Sequence, residues 1–363
     1  MTHIVMTGTD ISMFGAAESE TLARFKTYAA VLHELHPGST LTYLAHNAPA
    51  GSRTIEQGNL RIIPLRGIAR LYGALRSLPR IDLITCQTMY AEAWLAYAFA
   101  RSRHIPVVVQ EHTDPFALTN RSPLKRVAIG LRRWLGLTLL PCAAGMRTVN
   151  PQVADRLQPY AGKTAQITCL PIPIAVQPLL RAEVTDRPIV LYAGRLAPEK
   201  NLPALLEAAA QSQQNLQVVL AGDGPLQAAL MQQAAALNLP CTITGWQTQE
   251  QLAQHYAKAS VFVLPSLYEG FGRVLLEAMT CGVPVLSSRT AGALYLAALD
   301  DAVMLHDHTA QLASHLTHLL QNPALRDEQR RKGYLTAARF SRHELSRKWM
   351  AYLLGLARKE SAA

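Results

Sequence analysis

From Ile189 onward the chain alternates short apolar runs with amphipathic stretches, and this alternation limits the possible folds more than any other feature. The runs Ile189 to Tyr192, Leu216 to Leu220, Thr242 to Thr244, Val261 to Leu264, Val283 to Leu286 and Val303 to Leu305 read as strands. Between them, Leu202 to Gln211, Leu226 to Leu237, Gln249 to Ala257 and Ala310 to Gln321 carry a helical period. They are long enough for right-handed crossovers, so the pattern predicts a parallel sheet. The first half repeats it less cleanly, with strands expected at Ile4 to Thr7, Thr40 to Leu44, Leu60 to Ile63, Leu83 to Thr85, Val107 to Val109 and Gln166 to Leu170. Pro171, Pro173, Pro178 and Pro188 punctuate an aperiodic stretch that reads as a linker at 172–186. The expected class is α/β, with two Rossmann-like domains whose parallel sheets face each other across a cleft. Their bounds are 1–175 and 176–340, followed by a C-terminal helix at 341–363 that crosses back to the first domain. Ligands of such sheets bind beyond the carboxyl ends of the strands.

With 363 residues, 49% of them hydrophobic, the chain can bury two sizeable cores. Only 6% are aromatic, which argues against base-stacking surfaces and hence against a nucleic-acid partner. The N-terminus lacks a basic flank, and its apolar run is too short for a signal peptide. The longest membrane candidate, Trp134 to Met146, is broken by Pro141 and falls short of the roughly 20 residues a bilayer requires. Cys86, Cys142, Cys169, Cys241 and Cys281 are odd in number and never form a Cys-x-x-Cys pair. This usage fits a reducing cytoplasm and no structural metal site. Charge is unevenly shared: residues 1–180 hold 18 Lys+Arg against 10 Asp+Glu, a net +8, and 181–363 hold 17 against 15, a net +2. The first half is therefore expected to meet something acidic, unless its charge serves solubility alone.

Two segments of the second half carry candidate chemistry. In Pro265-Ser266-Leu267-Tyr268-Glu269-Gly270-Phe271-Gly272-Arg273-Val274-Leu275-Leu276-Glu277, a turn follows a buried strand and opens a helix, with two carboxylates eight positions apart. Free amides at the helix N-terminus suit a phosphate, and Gly270 and Gly272 let an anion approach the backbone. Glu269 would repel that phosphate, so neutral sugar hydroxyls are its expected partners, and Glu277 could reach a ribose diol. The competing interpretation is a plain strand-turn-helix with two solvated glutamates. In Tyr192-Ala193-Gly194-Arg195-Leu196-Ala197-Pro198-Glu199-Lys200, Arg195 and Lys200 stand five apart before a helix. Together they could offset the roughly two negative charges of a diphosphate diester, or they are simply solvated surface cations. Gly222-Asp223-Gly224-Pro225 is a turn after the next strand, either making room for a base and ribose or only connecting strand to helix.

Taken together these motifs resemble the retaining glycosyltransferases of family 4, which have the two-domain GT-B architecture. Gly194-Arg195-Leu196 with Lys200, Gly222-Asp223-Gly224-Pro225, Val263-Leu264-Pro265-Ser266, Glu269-x7-Glu277 and Gly282-Val283-Pro284-Val285 stand in that family's order and spacing, and Phe340-Ser341 resembles its ending. The resemblance implies that Arg195 and Lys200 bind the donor diphosphate with the amides of Phe271 and Gly272, that Glu277 binds ribose, and that Glu269 contacts the donor sugar. In the first half, Gly15-Ala16-Ala17-Glu18 resembles the family's Gly-Gly-x-Glu loop near the donor phosphate, with Ala16 in place of the second glycine. His112, in Glu111-His112-Thr113-Asp114, matches a histidine beside the donor sugar. Two departures stand out: Ala291-Gly292 and Tyr295 occupy positions where the family commonly has Gly-Gly and a glutamate, and Leu170-Pro171-Ile172-Pro173-Ile174 lacks the usual asparagine and glycine.

The activity implied is metal-independent transfer of a sugar, with retention, from a nucleoside-diphosphate sugar to a glycan or lipid-linked acceptor in cell-envelope synthesis. No cofactor is expected besides that co-substrate. From Ser122 to Leu140, Lys125, Arg126, Arg132 and Arg133 interleave with Leu124, Val127, Ile129, Leu131, Trp134 and Leu135. Such a basic amphipathic helix can lie in an anionic bilayer interface, making a cytoplasmic enzyme peripheral to the membrane, or it packs on the first sheet with a solvated basic face. The competing functions are a nucleotide-sugar epimerase or hydrolase of the same fold, and a non-catalytic binder of anionic lipid.

Overall fold

The computed structural model describes residues 1–15, 19–112, 115–116, 123–163, 165–171, 173 and 187–359, without the side chains of 123–126 and 359. Ala16, Thr113, Asp114, Ser122 and nearly all of the 172–186 linker lie outside the described residues. The chain forms two compact units, one of Met1–Pro173 with Arg342–Ala363 and one of Ile174–Ser341. Each is an α/β domain built on a parallel sheet.

The first unit runs β1 His3–Gly8, α1 Glu20–Leu35, β2 Thr40–His46, β3 Ile55–Gln57, β4 Leu60–Leu65, α2 Leu71–Ser77, β5 Leu83–Cys86, α3 Ala91–Arg101, β6 Val107–Glu111, α4 Pro123–Leu139, β7 Gly145–Thr148, α5 Pro151–Leu157 and β8 Gln166–Cys169. Its eight strands are ordered β3-β4-β2-β1-β5-β6-β7-β8, and only the β3–β4 pair is antiparallel. Successive residues of the central strands are buried on both faces, as in Val5, Ile84 and Val108, which a helix-covered parallel sheet requires. β3 and β7 are additions to the sequence-based expectation. Ile55-Glu56-Gln57 is short and polar, and Gly145-Met146-Arg147-Thr148 places an arginine in a buried strand, so neither has an apolar run to announce it.

The second unit runs β9 Ile189–Ala193, α6 Leu202–Gln211, β10 Gln217–Ala221, α7 Gln227–Ala236, β11 Cys241–Ile243, α8 Gln249–Lys258, β12 Val261–Leu264, α9 Arg273–Thr280, β13 Val285–Ser288, α10 Ala291–Asp300, β14 Val303–His306, α11 Thr309–Gln321 and α12 Pro323–Ala338. Strand order is β11-β10-β9-β12-β13-β14, all parallel. The order reverses between β9 and β12, so the loops leaving those two strands splay to opposite sides and leave a crevice at their carboxyl ends. Those loops hold Gly194–Lys200 and Pro265–Gly272. The last helix, α13 Arg342–Lys359, belongs to the first unit, where Trp349 is fully buried.

Candidate functional site

In the second unit the first loop is built on β9. Tyr192 is buried in the strand, and its hydroxyl donates to the Arg195 carbonyl oxygen at 3.0 Å, fixing the turn just beyond Gly194. The turn after β10 then locks against it. Gly194 N–H donates to Ala221 O at 3.0 Å, Leu196 N–H to Asp223 O at 2.7 Å and Leu226 N–H to Leu196 O at 3.1 Å. The two chains pass so closely that a Cβ on Gly222 would lie 1.9 Å from Gly194 O, and one on Gly224 would lie 2.4 Å from Leu196 O. Both glycines have φ above +150°. The glycines of this turn therefore serve backbone-to-backbone contact, and their effect on the site is to hold Arg195.

The second loop, after β12, joins the first. Leu267 N–H donates to Glu199 O at 2.9 Å, bringing the two segments side by side. Across this junction Lys200 Nζ lies 2.5 Å from Glu269 Oε1, and Ser266 Oγ donates to the same oxygen at 2.8 Å. Ser288, at the end of β13, donates to the Ser266 carbonyl, completing a polar layer over the carboxyl ends of β9, β12 and β13. Arg195, 67% exposed, reaches back to Glu199 at 3.1 Å. Glu269 and Lys200 are thus brought together, and each is about four-fifths shielded, with side-chain exposures of 15% and 21%.

Glu277 lies deeper than Glu269. It is 4% exposed on α9, accepts from the Tyr256 hydroxyl at 3.3 Å and lies 3.8 Å from Arg273 Nη2. Burial beside this carboxylate pushes the Tyr256 phenol well above its ordinary pKa, so the tyrosine stays a donor. Gly270 and Phe271 precede the helix, and Gly272 caps it in a left-handed conformation, φ 71°. Phe271 packs on Tyr295 and Phe340, with ring centroids 6.2 and 5.8 Å away. Tyr295, where a carboxylate was expected by resemblance, is therefore part of an aromatic cluster. Gly292 keeps its glycine for a visible reason: a Cβ there would lie 2.0 Å from Phe271 O.

In the first unit His112 follows β6. Burial, and then the charges of Arg147 and Arg24, depress its pKa to about 3, so the imidazole is neutral at physiological pH. Its Nδ1 has no hydrogen-bond partner among the described residues. Gly15 has φ −102°, open to any residue, and a Cβ there would meet Ser12 O at an ordinary 3.8 Å, so the fold itself does not demand glycine. Sequence reasoning missed Ser288, Tyr256 and Arg273. The i,i+4 spacing of Arg273 and Glu277 was a readable signal; Tyr256 is 21 residues from Glu277 and had none.

Comparison with known proteins agrees with this geometry. Residues 181–336 match the family Glycosyl transferases group 1, and residues 31–177 match Glycosyltransferase Family 4. Alpha-D-kanosaminyltransferase of Streptomyces kanamyceticus is 29% identical over 280 residues, covering 70% of this chain and 72% of that protein. Among solved structures, sucrose-phosphate synthase of Thermosynechococcus elongatus has a TM-score of 0.78 at 20% identity over the whole of both chains. Anabaena HepE in complex with UDP and glucose has a TM-score of 0.70 at 16% identity, covering 98% of this chain and all of that one. With both family matches in sequence order and a polar layer at the switch point of the second sheet, this chain belongs to glycosyltransferase family 4.

Proposed function

We propose that the protein transfers a sugar, with retention of anomeric configuration, from a nucleoside-diphosphate sugar to a hydroxyl of a glycan or lipid-linked acceptor in cell-envelope synthesis. The observation that carries this reading is the Lys200–Glu269–Ser266 cluster at the switch point of the second sheet. Its parts have separate tasks. Glu269, paired with Lys200 and fixed by Ser266, offers its second oxygen to donor-sugar hydroxyls. Lys200, Arg195 and the amides of Phe271 and Gly272 receive the diphosphate, whose charge grows as the bond to the sugar breaks, so they act as preorganised electrostatic stabilisers. The C1–O bond to phosphate breaks and the C1–O bond to the acceptor forms on the same face, while the acceptor proton passes to the departing phosphate oxygen. No step in this scheme calls for a metal or a dedicated general base.

Neutral His112 fits the same scheme, since an uncharged imidazole accepts from or donates to a sugar hydroxyl without competing for the diphosphate. Glu277 is proposed as the ribose contact. The complex of the Anabaena neighbour with UDP and glucose makes a uridine donor the first to try. A melting-temperature panel of UDP, GDP, ADP and their sugar conjugates tests the reading, because a ligand that binds only the folded state raises the melting temperature. Stabilisation by one nucleotide, lost in Lys200→Ala, is expected. No shift with any nucleotide in the wild type would overturn the donor assignment.

A further inference from the structure

α4 is anchored at its C-terminal end and uncovered along its middle. Leu139 is buried in the first unit's core, Leu137 packs against that core, and Trp94 Nε1 donates to Leu135 O at 2.9 Å. On the other side Val127, Leu131 and Trp134 are 71%, 58% and 60% exposed. Their spacing of four and three residues puts all three on one face of the helix. An exposed apolar stripe of this kind is unusual on a surface helix, whose outward face is normally polar.

The charge beside the stripe identifies what covers it. Between Asp114 and Asp155 the sequence contains no carboxylate, while Arg121, Lys125, Arg126, Arg132 and Arg133 all fall within that interval. Arg132 stacks over the Tyr90 ring at 5.4 Å and Arg133 over the Phe116 ring at 5.7 Å, which holds both guanidinium groups beside the helix. A soluble protein partner would need an acidic surface with an apolar centre. A bilayer rich in anionic lipid offers both properties in one plane, headgroup charge above acyl chains. No described helix is long and apolar enough to cross the membrane, so the contact is interfacial.

We infer that α4 docks the protein on anionic membrane, with Val127, Leu131 and Trp134 inserted at the acyl boundary and Arg132 and Arg133 at the phosphates. This stands on α4 alone and not on the donor reading. The test is flotation of the full chain with vesicles of phosphatidylcholine, with and without about 30% phosphatidylglycerol. The wild type should bind only the anionic vesicles, with a blue shift of tryptophan emission that disappears in Trp134→Phe. Leu131→Gln/Trp134→Gln should lower partitioning by more than roughly tenfold. Arg132→Gln/Arg133→Gln should lower it by on the order of fivefold per arginine, and added salt should do the same. Absence of wild-type binding to the anionic vesicles overturns the inference, as does equal binding by folded variants. A wild-type dimer that Leu131→Gln/Trp134→Gln converts to monomer also overturns it, assigning the stripe to a second copy of the chain. Nucleotide-induced stabilisation, measured on the same Leu131→Gln/Trp134→Gln sample, reads the donor site separately.

Discussion

Lys200 Nζ stands 2.5 Å from Glu269 Oε1, so the cation assigned to the donor diphosphate and the carboxylate assigned to the donor sugar are partners before any donor arrives. Arg195 is likewise paired with Glu199, and Arg273 lies near Glu277. The formal charges of these three pairs cancel, and in the proposed scheme a diphosphate shares Lys200 with Glu269. In that scheme one amine bridging the groups proposed for sugar and phosphate fixes their spacing, which is what positioning of a reacting bond between them requires.

Lys200→Ala should therefore do more than remove a phosphate contact. Besides removing nucleotide-induced stabilisation, it should leave Glu269 with Ser266 as its remaining side-chain partner among the described residues, costing about 1–2 kcal/mol of unfolding free energy after allowance for partial exposure. We expect kcat/KM to fall by on the order of a hundred- to a thousandfold. Glu269→Gln should lower kcat by a similar factor while retaining nucleotide binding. Initial rates and urea unfolding of both variants and the double variant check this. Additive losses in the double variant would show that the pair does not act as a unit.

Gly222→Ala should destabilise the second unit by about 2–3 kcal/mol, because the added methyl would meet the Gly194 carbonyl and neither backbone can yield without moving Arg195. Gly292→Ala, which drives a methyl into Phe271 O, should have a comparable cost. Calorimetry checks both. The informative comparison is donor affinity in whatever fraction folds: a Gly222→Ala protein that melts normally and binds nucleotide normally would remove the turn from the site's architecture.

How much of this was legible follows from where the signal lay. β12 and α6 occupy the expected residues, Val261–Leu264 and Leu202–Gln211, because each is an uninterrupted apolar or amphipathic run with proline or polar punctuation. Other boundaries moved by one or two residues, as β13 did from Val283–Leu286 to Val285–Ser288, since Pro284 sits inside the run and cannot join the ladder. β7 went unseen because Arg147 breaks its apolar pattern. In the site, motif spacing placed Glu269 and Lys200 in neighbouring loops, but sequence carries no term for a contact across 69 residues. For the same reason both interpretations of Gly222 stayed open in the sequence: a residue that makes room for backbone cannot be told from one that makes room for a ligand until both loops are in view.

His306 gives the second unit a pH dependence. It is buried at the end of β14, neither ring nitrogen has a hydrogen-bond partner among the described residues, and burial followed by the charge of His315 lowers its pKa to about 4. The unfolded chain, with an ordinary imidazole, binds a proton as pH falls through about 6.5, while the folded one resists until about 4. Stability is therefore full above pH 6.5 and declines between those values, by about 1–3 kcal/mol from this residue after allowance for solvent screening. His306→Leu should flatten that slope in urea titrations at several pH values. An unchanged slope would mean that the site hydrates and charges in the folded state.

Arg147 supports the first unit from inside. It is 2% exposed; its Nε donates to Leu170 O and Nη2 to Pro171 O, both at 2.7 Å, and Nη1 donates to Gln110 Oε1 at 3.3 Å. Its guanidinium lies 4.8 Å from the Trp349 ring centroid, so one side chain ties β6, β7, the end of β8 and α13 together. Arg147→Met keeps much of the volume but strands those carbonyls, and a loss of about 3 kcal/mol is expected. Arg147→Lys should recover only part of it, since an ammonium cannot reproduce the planar fork. The same charge is the second cause, after burial, of the depressed His112 pKa. In Arg147→Met that pKa should rise above about 3, measured by NMR titration of the imidazole. A folded variant with His112 unmoved would show that burial alone keeps this histidine neutral, and that Arg147 serves the scaffold without reaching the site.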